Sequence, residues 1–470
     1  MRLTALIFFL LCVSAFPATE WRQFRGPNGS GVSDAKDLPL EFGVDKNLLW
    51  KTALPQGHSS PVMSPDRIFL TGHENEELFV FGLDRKTGKQ LWRKQVPRPR
   101  RGELHKANGP ASSSPVTDGE NVYFFFTDFG LISFTKDGVE RWRMELGPFN
   151  SPMGLSSSPV LSGNKLLMNC DSESGSFFIG LNKDTGKQIW RRDRSEFTRG
   201  FSTPVLYQQP GQPMEAIVAG STRLVSYSVD TGEPIWWIDG LTWQLKPTPV
   251  MDKENIYVLG WAGDADQGNQ EEIADFKEYL AKWDKNGDGK LSKEEIPEKK
   301  IVNQWESFDL DRTGFLEERD WKAYQSRKKV VNAVRAFKLG GKGDMTAANT
   351  LWSYYKSLPN VPSPLLYEGV LYICKESGIL TALDAKTGKV LKQARLNDAP
   401  GDYFSSPVAA GGRIFTISHE GKVSVIKPGA AWEVERTIAL NEDVNATPAF
   451  EDGKIYIRTH QHLYCFGKKD

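Results

Sequence analysis

The sequence predicts an all-β protein in which four-stranded units repeat along the chain. One of two supporting patterns is a serine or threonine followed by proline and an apolar residue, which marks eight positions along the chain. The steps between successive prolines are 54, 44, 45, 45, 115, 43 and 41 residues, so one interval is longer than its neighbours by about 70. The marker prolines are Pro61, Pro115, Pro159, Pro204, Pro249, Pro364, Pro407 and Pro448.

The second pattern is a turn of the form Asp/Asn-x-x-Thr-Gly-Lys followed by an apolar strand that usually carries tryptophan. Its best copies are Leu83–Trp92, Leu181–Trp190 and Leu383–Leu391, with weaker copies at Asp230–Trp236 and Lys136–Trp142. The Asp or Asn side chain accepts from nearby backbone N–H groups, and glycine supplies the positive φ. We expect the tryptophan to pack against a neighbouring unit and so to act as a structural clamp.

Eight markers at this spacing predict an eight-bladed β-propeller with four-stranded antiparallel blades. The last unit ends after three strands at Leu463–Phe466, whereas Leu48–Thr52 is a strand that precedes the first marker. We expect this N-terminal strand to complete the last blade, because closure of the ring removes exposed strand edges. The propeller is predicted over residues 45–263 and 330–467. An N-terminal loop segment, 16–44, precedes it, and Trp21–Gly31 within that segment is expected to cover one face without contributing a catalytic group.

The N-terminal residues indicate an exported protein. Residues 1–15 have the basic start, apolar run and small residues of a secretory signal peptide, with Ala18 as a second cleavage point. A buried N-terminal strand is the alternative. The residues before Cys12 form a poor lipoprotein signal, which favours a soluble periplasmic or secreted product. Lys plus Arg equals Asp plus Glu, at 59 each, which argues against a nucleic-acid partner. No further segment is apolar enough to span a membrane, and we expect a monomer.

The long interval predicts a helical insertion over residues 264–329 that carries an EF-hand. Asp284–Glu295 matches the twelve-residue calcium loop at its diagnostic positions, with Gly289 at the sharp turn. Calcium prefers six to eight oxygen ligands, which this loop supplies from side chains and one backbone carbonyl. A solvated acidic turn is the alternative. The predicted ligands are Asp284, Asn286, Asp288, Lys290 through its carbonyl, Ser292 and Glu295.

A second, weaker loop begins 25 residues later, at Asp309. Gly314 and Leu316 fit the pattern, but Asp320 is shorter than the usual glutamate at the twelfth position. This loop is predicted either to bind Ca²⁺ or to serve as a metal-free partner of the first loop. In an exported protein, a weak structural calcium site is expected rather than a sensor. The predicted ligands are Asp309, Asp311, Thr313, Phe315 and Asp320.

Other residues offer weaker signals. His58, His105 and His419 lie near blade starts or inter-strand turns, where a metal or substrate site could form, although a hydrogen-bonded histidine is the simpler interpretation. Arg98–Arg101 is a basic run that predicts a solvated loop, with an acidic ligand site as the alternative. Cys170, Cys374 and Cys465 are expected to be buried structural thiols.

The turn-and-tryptophan pattern, recurring with Ser-Pro-Val strands, resembles the tryptophan-docking repeat of pyrroloquinoline quinone (PQQ)-like propellers. That superfamily includes quinoprotein alcohol dehydrogenases and the outer-membrane assembly lipoprotein BamB. The resemblance covers about residues 45–263 and 330–467. Trp21–Gly31 also resembles the start of secreted bacterial PQQ-like proteins, some of which carry an EF-hand insertion. The resemblance implies the fold and leaves the function open.

Two functional hypotheses follow from the resemblance. Family enzymes hold the quinone between a tryptophan and a disulfide of adjacent cysteines, and this sequence has no adjacent cysteines. The favoured hypothesis is therefore an exported, calcium-binding, non-enzymatic scaffold that binds a protein or a small ligand. The alternative is a quinoprotein-like alcohol or sugar dehydrogenase with a divergent site. In that case the segments before the Ser-Pro-Val strands form a funnel mouth with His58, Asn108, Arg199 and Lys246 as its polar candidates.

Overall fold

The computed structural model describes residues 20–102, 104–105, 107–261, 263, 272–329 and 332–469 of the 470-residue chain. Eight antiparallel sheets succeed one another around a central axis, so the expected eight-bladed propeller is confirmed. The segment 1–15, predicted to be a signal peptide, lies outside the described residues.

The first four blades follow the repeat expected from the sequence. Each begins with a short inner strand directly after the marker proline, and three longer strands follow it outwards. Proline suits this place because it cannot donate to a ladder and an edge strand does not require it to. Blade 1 contains β2 (Val62–Met63), β3 (Arg67–Glu74), β4 (Glu77–Asp84) and β5 (Gln90–Val96); blade 2 contains β6 (Val116–Thr117), β7 (Asn121–Phe126), β8 (Gly130–Thr135) and β9 (Glu140–Glu145); blade 3 contains β10 (Val160–Ser162), β11 (Lys165–Cys170), β12 (Phe177–Asn182) and β13 (Gln188–Asp193); blade 4 contains β14 (Val205–Tyr207), β15 (Glu215–Gly220), β16 (Arg223–Ser228) and β17 (Pro234–Asp239).

The remaining blades include the interrupted one and the one that closes the ring. In blade 8 the N-terminal strand β1 (Leu48–Ala53) pairs antiparallel with the last strand of the chain, as the sequence predicts. Blade 5 contains β18 (Val250–Met251), β19 (Asn255–Gly260), β22 (Ala333–Lys338) and β24 (Thr350–Tyr354); blade 6 contains β25 (Leu365–Tyr367), β26 (Val370–Lys375), β27 (Ile379–Asp384) and β28 (Val390–Arg395); blade 7 contains β29 (Val408–Ala410), β30 (Arg413–Ile417), β31 (Lys422–Lys427) and β32 (Glu433–Ala439); blade 8 contains β33 (Ala449–Glu451), β34 (Lys454–Arg458) and β35 (His462–Gly467) together with β1.

Blade 4 departs from the four-stranded expectation. A fifth strand, β23 (Gly343–Asp344), comes from the loop between the last two strands of blade 5 and runs parallel to β17. The short helix α4 (Thr346–Asn349) follows it. The extra strand covers the outer edge of blade 4, which would otherwise expose unpaired backbone groups. The tryptophan of this blade, Trp236, donates to the Glu215 carboxylate within its own sheet, at 2.8 Å.

In most other blades with the pattern, the tryptophan docks on the next blade. The Nε1–H of Trp92 donates to the Lys136 carbonyl and that of Trp142 to the Lys183 carbonyl, both at 2.8 Å. The indole also lies on the turn glycine: a Cβ on Gly186 would stand 2.6 Å from the ring of Trp142. Glycine is therefore required both for its positive φ of 69° and for the close approach of the ring.

A ring of hydroxyl groups joins the blades around the axis. The marker serine or threonine of one blade accepts a hydrogen bond from the backbone N–H of the marker residue in the preceding blade. Seven such bonds, of 2.9 to 3.1 Å, connect the described blades. The bond from Thr447 to Ser60 closes the circle between blade 8 and blade 1. The hydroxyl ring consists of Ser60, Ser114, Ser158, Thr203, Thr248, Ser363, Ser406 and Thr447.

Residues 21–33, the sealing segment, close one end of the central channel. Asn28 exchanges two hydrogen bonds with the backbone of Leu206 in blade 4, and Ser33 donates to the Phe450 carbonyl in blade 8. The backbone of Trp21 accepts from Met63 in blade 1. Because the segment bonds to inner strands on opposite sides of the axis, it closes this end of the propeller.

The insertion in blade 5 has a small hydrophobic core of its own. It contains α1 (Phe276–Trp283), α2 (Lys299–Asn303), α3 (Glu318–Lys329) and a two-stranded sheet of β20 (Leu291–Ser292) and β21 (Phe315–Leu316). The buried residues of this core include Phe276, Leu291, Leu316 and Trp321. Among the helices of the described chain, none is long and apolar enough to cross a membrane.

The glycine requirement can be tested in blade 3 with a matched pair of substitutions. Gly186 and Gly163 both have positive φ, but only Gly186 lies against a tryptophan, since a Cβ on Gly163 meets nothing within 4 Å. We expect Gly163→Ala to lower the free energy of unfolding by about 1–2 kcal/mol through backbone strain. Gly186→Ala should cost a further ~1–3 kcal/mol through displacement of Trp142. Denaturant unfolding of both variants measures the two losses of stability. Equal losses would show that docking of the Trp142 indole does not depend on the glycine.

Candidate functional site

The principal cavity is a funnel on the axis, with a volume of about 660 Å³. The hydroxyl ring and Phe24 of the sealing segment line one end of the funnel, and residues of the connections between blades line the other. Its upper wall comes mostly from the connections that precede the inner strands. These connections lie outside the four-stranded ladders of the blades, and functional residues commonly occupy such loops.

All four polar residues named for the funnel mouth line this cavity. They are His58, Asn108, Arg199 and Lys246, which come from four different blade connections. Asn108 is fixed by bonds to its own loop, including a 2.9 Å bond from the Gly109 N–H. The other three side chains, two cations and a histidine, supply charged and titratable groups to the mouth.

One side of the funnel pairs cations with tryptophans. The Arg199 guanidinium lies 5.0 Å from the ring centre of Trp243, and Lys246 Nζ lies 5.4 Å from that of Trp261. Lys246 also donates to Asn360 Oδ1 at 2.6 Å. Burial lowers the pKa of Lys246 to about 8; Glu376 opposes this effect and Arg199 adds to it. We call Arg199, Trp243, Lys246 and Trp261 the cationic wall.

The insertion reaches this wall through α3. The Arg327 guanidinium also lies over Trp243, 4.9 Å from the ring centre. Burial, with a smaller contribution from Arg199, lowers the pKa of Arg327 to about 10. Near the start of the helix, Arg319 donates to the backbone carbonyls of Ser195 and Glu173. The Glu173 carboxylate in turn pairs with Arg199. The insertion is therefore attached to the rim of the funnel.

Histidines that are far apart in the sequence meet on the opposite side. The rings of His58 and His460 stack with centres 5.3 Å apart, and His419 lies 5.7 Å from His460. Burial, with smaller contributions from His460 and Arg458, lowers the pKa of His58 to about 3, and burial also lowers the pKa of His460. These three residues form the histidine cluster. His58 and His460 in it are neutral at pH 7.

Sequence reasoning missed His460 and did not group it with His58 and His419. A usable signal was present, since His419 and His460 occupy the same position after the second strand of adjacent blades. His105 lines the funnel without joining the cluster. The basic run at Arg98–Arg101 is largely used in ion pairs: Arg98 bonds to Asp128 at 2.8 Å, and Arg101 lies 3.7 Å from Glu76.

The funnel contains few acidic groups. Asp402 is the single carboxylate among its lining residues in the described chain. No group of three or more His, Cys, Asp or Glu side chains in the described residues converges as a metal site. The described cysteines are buried and unpaired, and Cys170, Cys374 and Cys465 belong to three different blades. These residues do not fit a quinone held by calcium and a vicinal disulfide.

The first loop of the insertion is folded around its own carboxylates. Asp284 accepts from the N–H groups of Gly287 and Gly289, at 2.7 and 3.0 Å. Glu295 accepts from the backbone of Lys285 and Ser292, which lowers the pKa of its carboxyl. Asn286, Asp288 and Lys290 lie between these ends, on the exposed side of the loop.

The second loop repeats this arrangement. Asp309 accepts from the N–H groups of Thr313 and Gly314, and Asp320 accepts from those of Leu310 and Glu317. Burial, with a smaller contribution from Asp311, raises the pKa of Asp320 to about 6. The two loops are joined side by side, because Leu291 pairs with Leu316 and Ser292 with Phe315. This pairing places the predicted ligands of both loops in one compact unit.

The fold and the funnel together define a PQQ-like β-propeller whose channel is sealed at one end. The chain belongs to the family described as outer membrane protein assembly factor BamB, which matches residues 43–173 and 325–470. The two matched segments lie on either side of the insertion.

Individual relatives are more distant. The chain is 25% identical to a quinoprotein ethanol dehydrogenase of Pseudomonas putida over 35% of its own length and 29% of the length of that protein. Among solved structures, BamB from Moraxella catarrhalis matches with a TM-score of 0.58 and 13% identity, covering 90% of this chain and 97% of that one. A europium-containing methanol dehydrogenase matches with a TM-score of 0.59 and 10% identity, covering 96% and 98%. These structural similarities are evidence of the fold alone.

The neutral state of His58 predicts sensitivity to acid. Because the folded pKa is lowered from 6.5 to about 3, the unfolded chain binds a proton that the folded protein excludes below about 6.5. We therefore expect stability to fall as the pH decreases from about 6.5 towards 3. Denaturant unfolding across this range should show a shallower loss for His58→Gln. The matched control is His105→Gln, because His105 is exposed and should leave the slope unchanged. An unaltered slope in His58→Gln would contradict the assignment.

Proposed function

We propose that this protein is an exported, calcium-binding, non-enzymatic binding protein whose funnel receives an anionic ligand. The observation that carries the proposal is the cationic wall, in which Arg199 and Lys246 each lie against a tryptophan facing the cavity. Such pairs offer a flat apolar surface beside a positive charge. They suit a small molecule with an acidic group and a planar part, or an acidic, aromatic segment of a partner protein.

The charges of the funnel support an anion. Lys246 bonds to a neutral amide, and Glu173 offsets part of the Arg199 charge. Asp402 is the opposing carboxylate among the described lining residues. A site with this excess of positive groups attracts negatively charged ligands.

The enzymatic alternative is a quinoprotein-like oxidoreductase. A bound quinone would supply the redox chemistry, but the donor set of the funnel does not match a calcium-held quinone, so we assign no catalytic step to the funnel residues. The experiment mixes purified protein with PQQ and Ca²⁺ and follows quinone absorbance and dye reduction with alcohols and sugars. We expect no dye reduction, even if the acidic quinone binds to the cationic wall. Substrate-dependent dye reduction would replace the proposal with the enzymatic function.

Ligand binding should depend on the protonation of Lys246. A fluorescent anionic aromatic probe, anilinonaphthalene sulfonate, should bind in the funnel. Since the pKa of Lys246 is about 8, the affinity of the protein for this probe should fall as the pH rises through that value. Lys246→Met should weaken binding by roughly tenfold at pH 7 and remove this pH dependence. Lys89→Met, on an exposed turn at the opposite face, is the control. Identical titrations for wild type and Lys246→Met would refute the assignment.

The calcium proposal rests on the paired loops of the insertion. Oxygen-bearing side chains stand at the EF-hand spacing in the first loop, and the second loop has the same hydrogen-bonded turn at Gly314. Pairing of two such loops through a short sheet is the arrangement that EF-hands use. The first loop is proposed to bind Ca²⁺ through Asp284, Asn286, Asp288, Lys290, Ser292 and Glu295, and the second to bind more weakly through Asp309, Asp311, Thr313, Phe315 and Asp320.

Calorimetric titration with Ca²⁺ tests this proposal. We expect a dissociation constant of about 10⁻⁴ to 10⁻³ M, as in extracellular calcium modules. The double variant Asp284→Ala/Glu295→Ala should lose the stronger binding event, whereas Glu294→Ala, next to a ligand position but exposed, should keep it. Asp320→Asn should affect the weaker event alone. If the double variant binds Ca²⁺ as tightly as the wild type, the first loop is not the site.

A further inference from the structure

The floor of the funnel presents a circle of unused hydrogen-bond donors. Each of the seven ring hydroxyls that link blades accepts an N–H through its oxygen. Within the described residues, none of the eight donates its own hydrogen to a protein acceptor, and all eight line the cavity. A hydroxyl has one donor and two acceptor positions, so the hydrogens remain available to a ligand on the axis.

A buried cation lies next to this circle on the sealed side. Arg25, in the sealing segment, is 0% exposed and donates through Nη2 to the Pro364 carbonyl at 2.6 Å. Pro364 directly follows the ring residue Ser363. A Cβ on Gly31 would lie 2.7 Å from Arg25 Nη2 and 3.1 Å from the carbonyl of Pro407, which follows the ring residue Ser406. The guanidinium is therefore hydrogen-bonded to the residue that follows Ser363 and lies near the residue that follows Ser406.

Arg25 has no counter-charge in the described protein. Its Nε and Nη1 atoms are buried and have no hydrogen-bond partner. Burial lowers the pKa of Arg25 to about 9, and no carboxylate counteracts that effect. A buried, unpaired charge costs several kcal/mol and is ordinarily paired with an opposite charge. A second buried arginine, Arg458, lies between blades 8 and 1, where it donates to Ser59, Thr71 and Pro55. It adds to the positive potential.

We propose that the hydroxyl ring, backed by Arg25, binds the acidic group of the funnel ligand, a carboxylate or a phosphate. This inference rests on the proposed function and fixes the orientation of the ligand, with its acidic group on the floor and its planar part along the cationic wall. Hydroxyl groups that line one cavity and have their donors available, near a guanidinium in a low-dielectric setting, can form charge-assisted bonds to an anion. A cation would be repelled by Arg25 and has no carboxylate to join among the described residues of the floor.

The location can be tested in wild-type crystals with two anions. One crystal is soaked in sodium bromide, which stands for a free ion, and another in 4-bromobenzoate, which stands for an acidic group on a planar ligand. We expect the benzoate carboxylate at the hydroxyl ring. If bromide binds at the hydroxyl ring and benzoate does not, the ring is an anion site, but one for free ions rather than for the acidic group of a planar ligand. Anions bound solely beside Arg199 and Lys246 would overturn this inference and leave the proposed function standing. Anions in neither place would contradict both.

Variants test the same point in solution by calorimetric titration with 4-bromobenzoate. Arg25→Gln should weaken binding by roughly tenfold or more, because it removes the charge beside the ring. Thr248→Val removes a ring hydroxyl that accepts no inter-blade bond within the described chain, and it should weaken binding by about two- to fivefold without loss of a blade contact. Arg22→Gln, in the same sealing segment but bonded to Asp118 in blade 2, is the control and should bind like the wild type.

Folding of the Arg25 variant is checked separately. If Arg25→Gln does not fold, two other variants replace it. Arg25→Lys keeps the charge and should retain the affinity, whereas Thr248→Val should reduce it. Wild-type affinity in both Arg25→Gln and Thr248→Val would overturn the floor site. If Lys246→Met alone abolished binding, the acidic group would instead belong to the cationic wall.

Discussion

The hydrogen bond from a backbone N–H to the marker hydroxyl of the next blade is the interaction on which the rest of the structure depends. It recurs around the axis and ends in the bond from Thr447 to Ser60 between the last blade and the first. Each bond is buried, so an unpaired N–H at this place would cost about 1–3 kcal/mol. The requirement for a hydroxyl explains why serine or threonine precedes every marker proline. At the outer edge, tryptophans on turn glycines hold neighbouring blades together in the same direction around the ring.

This architecture separates the constrained parts of the chain from the free ones. Strands and clamp turns must satisfy the ladders and the docking of tryptophan, whereas the connections before the inner strands lie outside these ladders and bond to one another at only a few points. The charged and aromatic residues of the funnel occur on those connections, including Arg199, Trp243 and Lys246. The sealing segment makes the channel a one-ended cavity, and it also brings Arg25 into a place where its charge has no partner within the described protein.

The insertion is joined to the funnel by more than its two chain connections. Its last helix places Arg327 on Trp243 and Arg319 on the backbone of Glu173, while Glu173 holds Arg199. Asn150 of the propeller donates to the Leu310 carbonyl at the start of the second loop. The second loop and the last helix of the insertion thus contact the wall or the residues that hold it, although the insertion folds around a core of its own.

The sequence alone determined the propeller, because the spacing of Ser/Thr-Pro markers reports one blade per copy and the missing fourth strand of the last unit requires β1. Local pattern also indicated a small helical insertion with two loops, since the spacing of oxygen-bearing side chains and turn glycines is encoded within a dozen residues. It further placed His58, Asn108, Arg199 and Lys246 at the mouth, because they precede inner strands in register. Only the tertiary structure decided that His460 joins His58, that β23 adds a fifth strand to blade 4, and that Arg25 lies beside the hydroxyl ring without a counter-charge in the described chain. Those outcomes depend on contacts between residues that are more than a hundred positions apart in the chain, which no local pattern records.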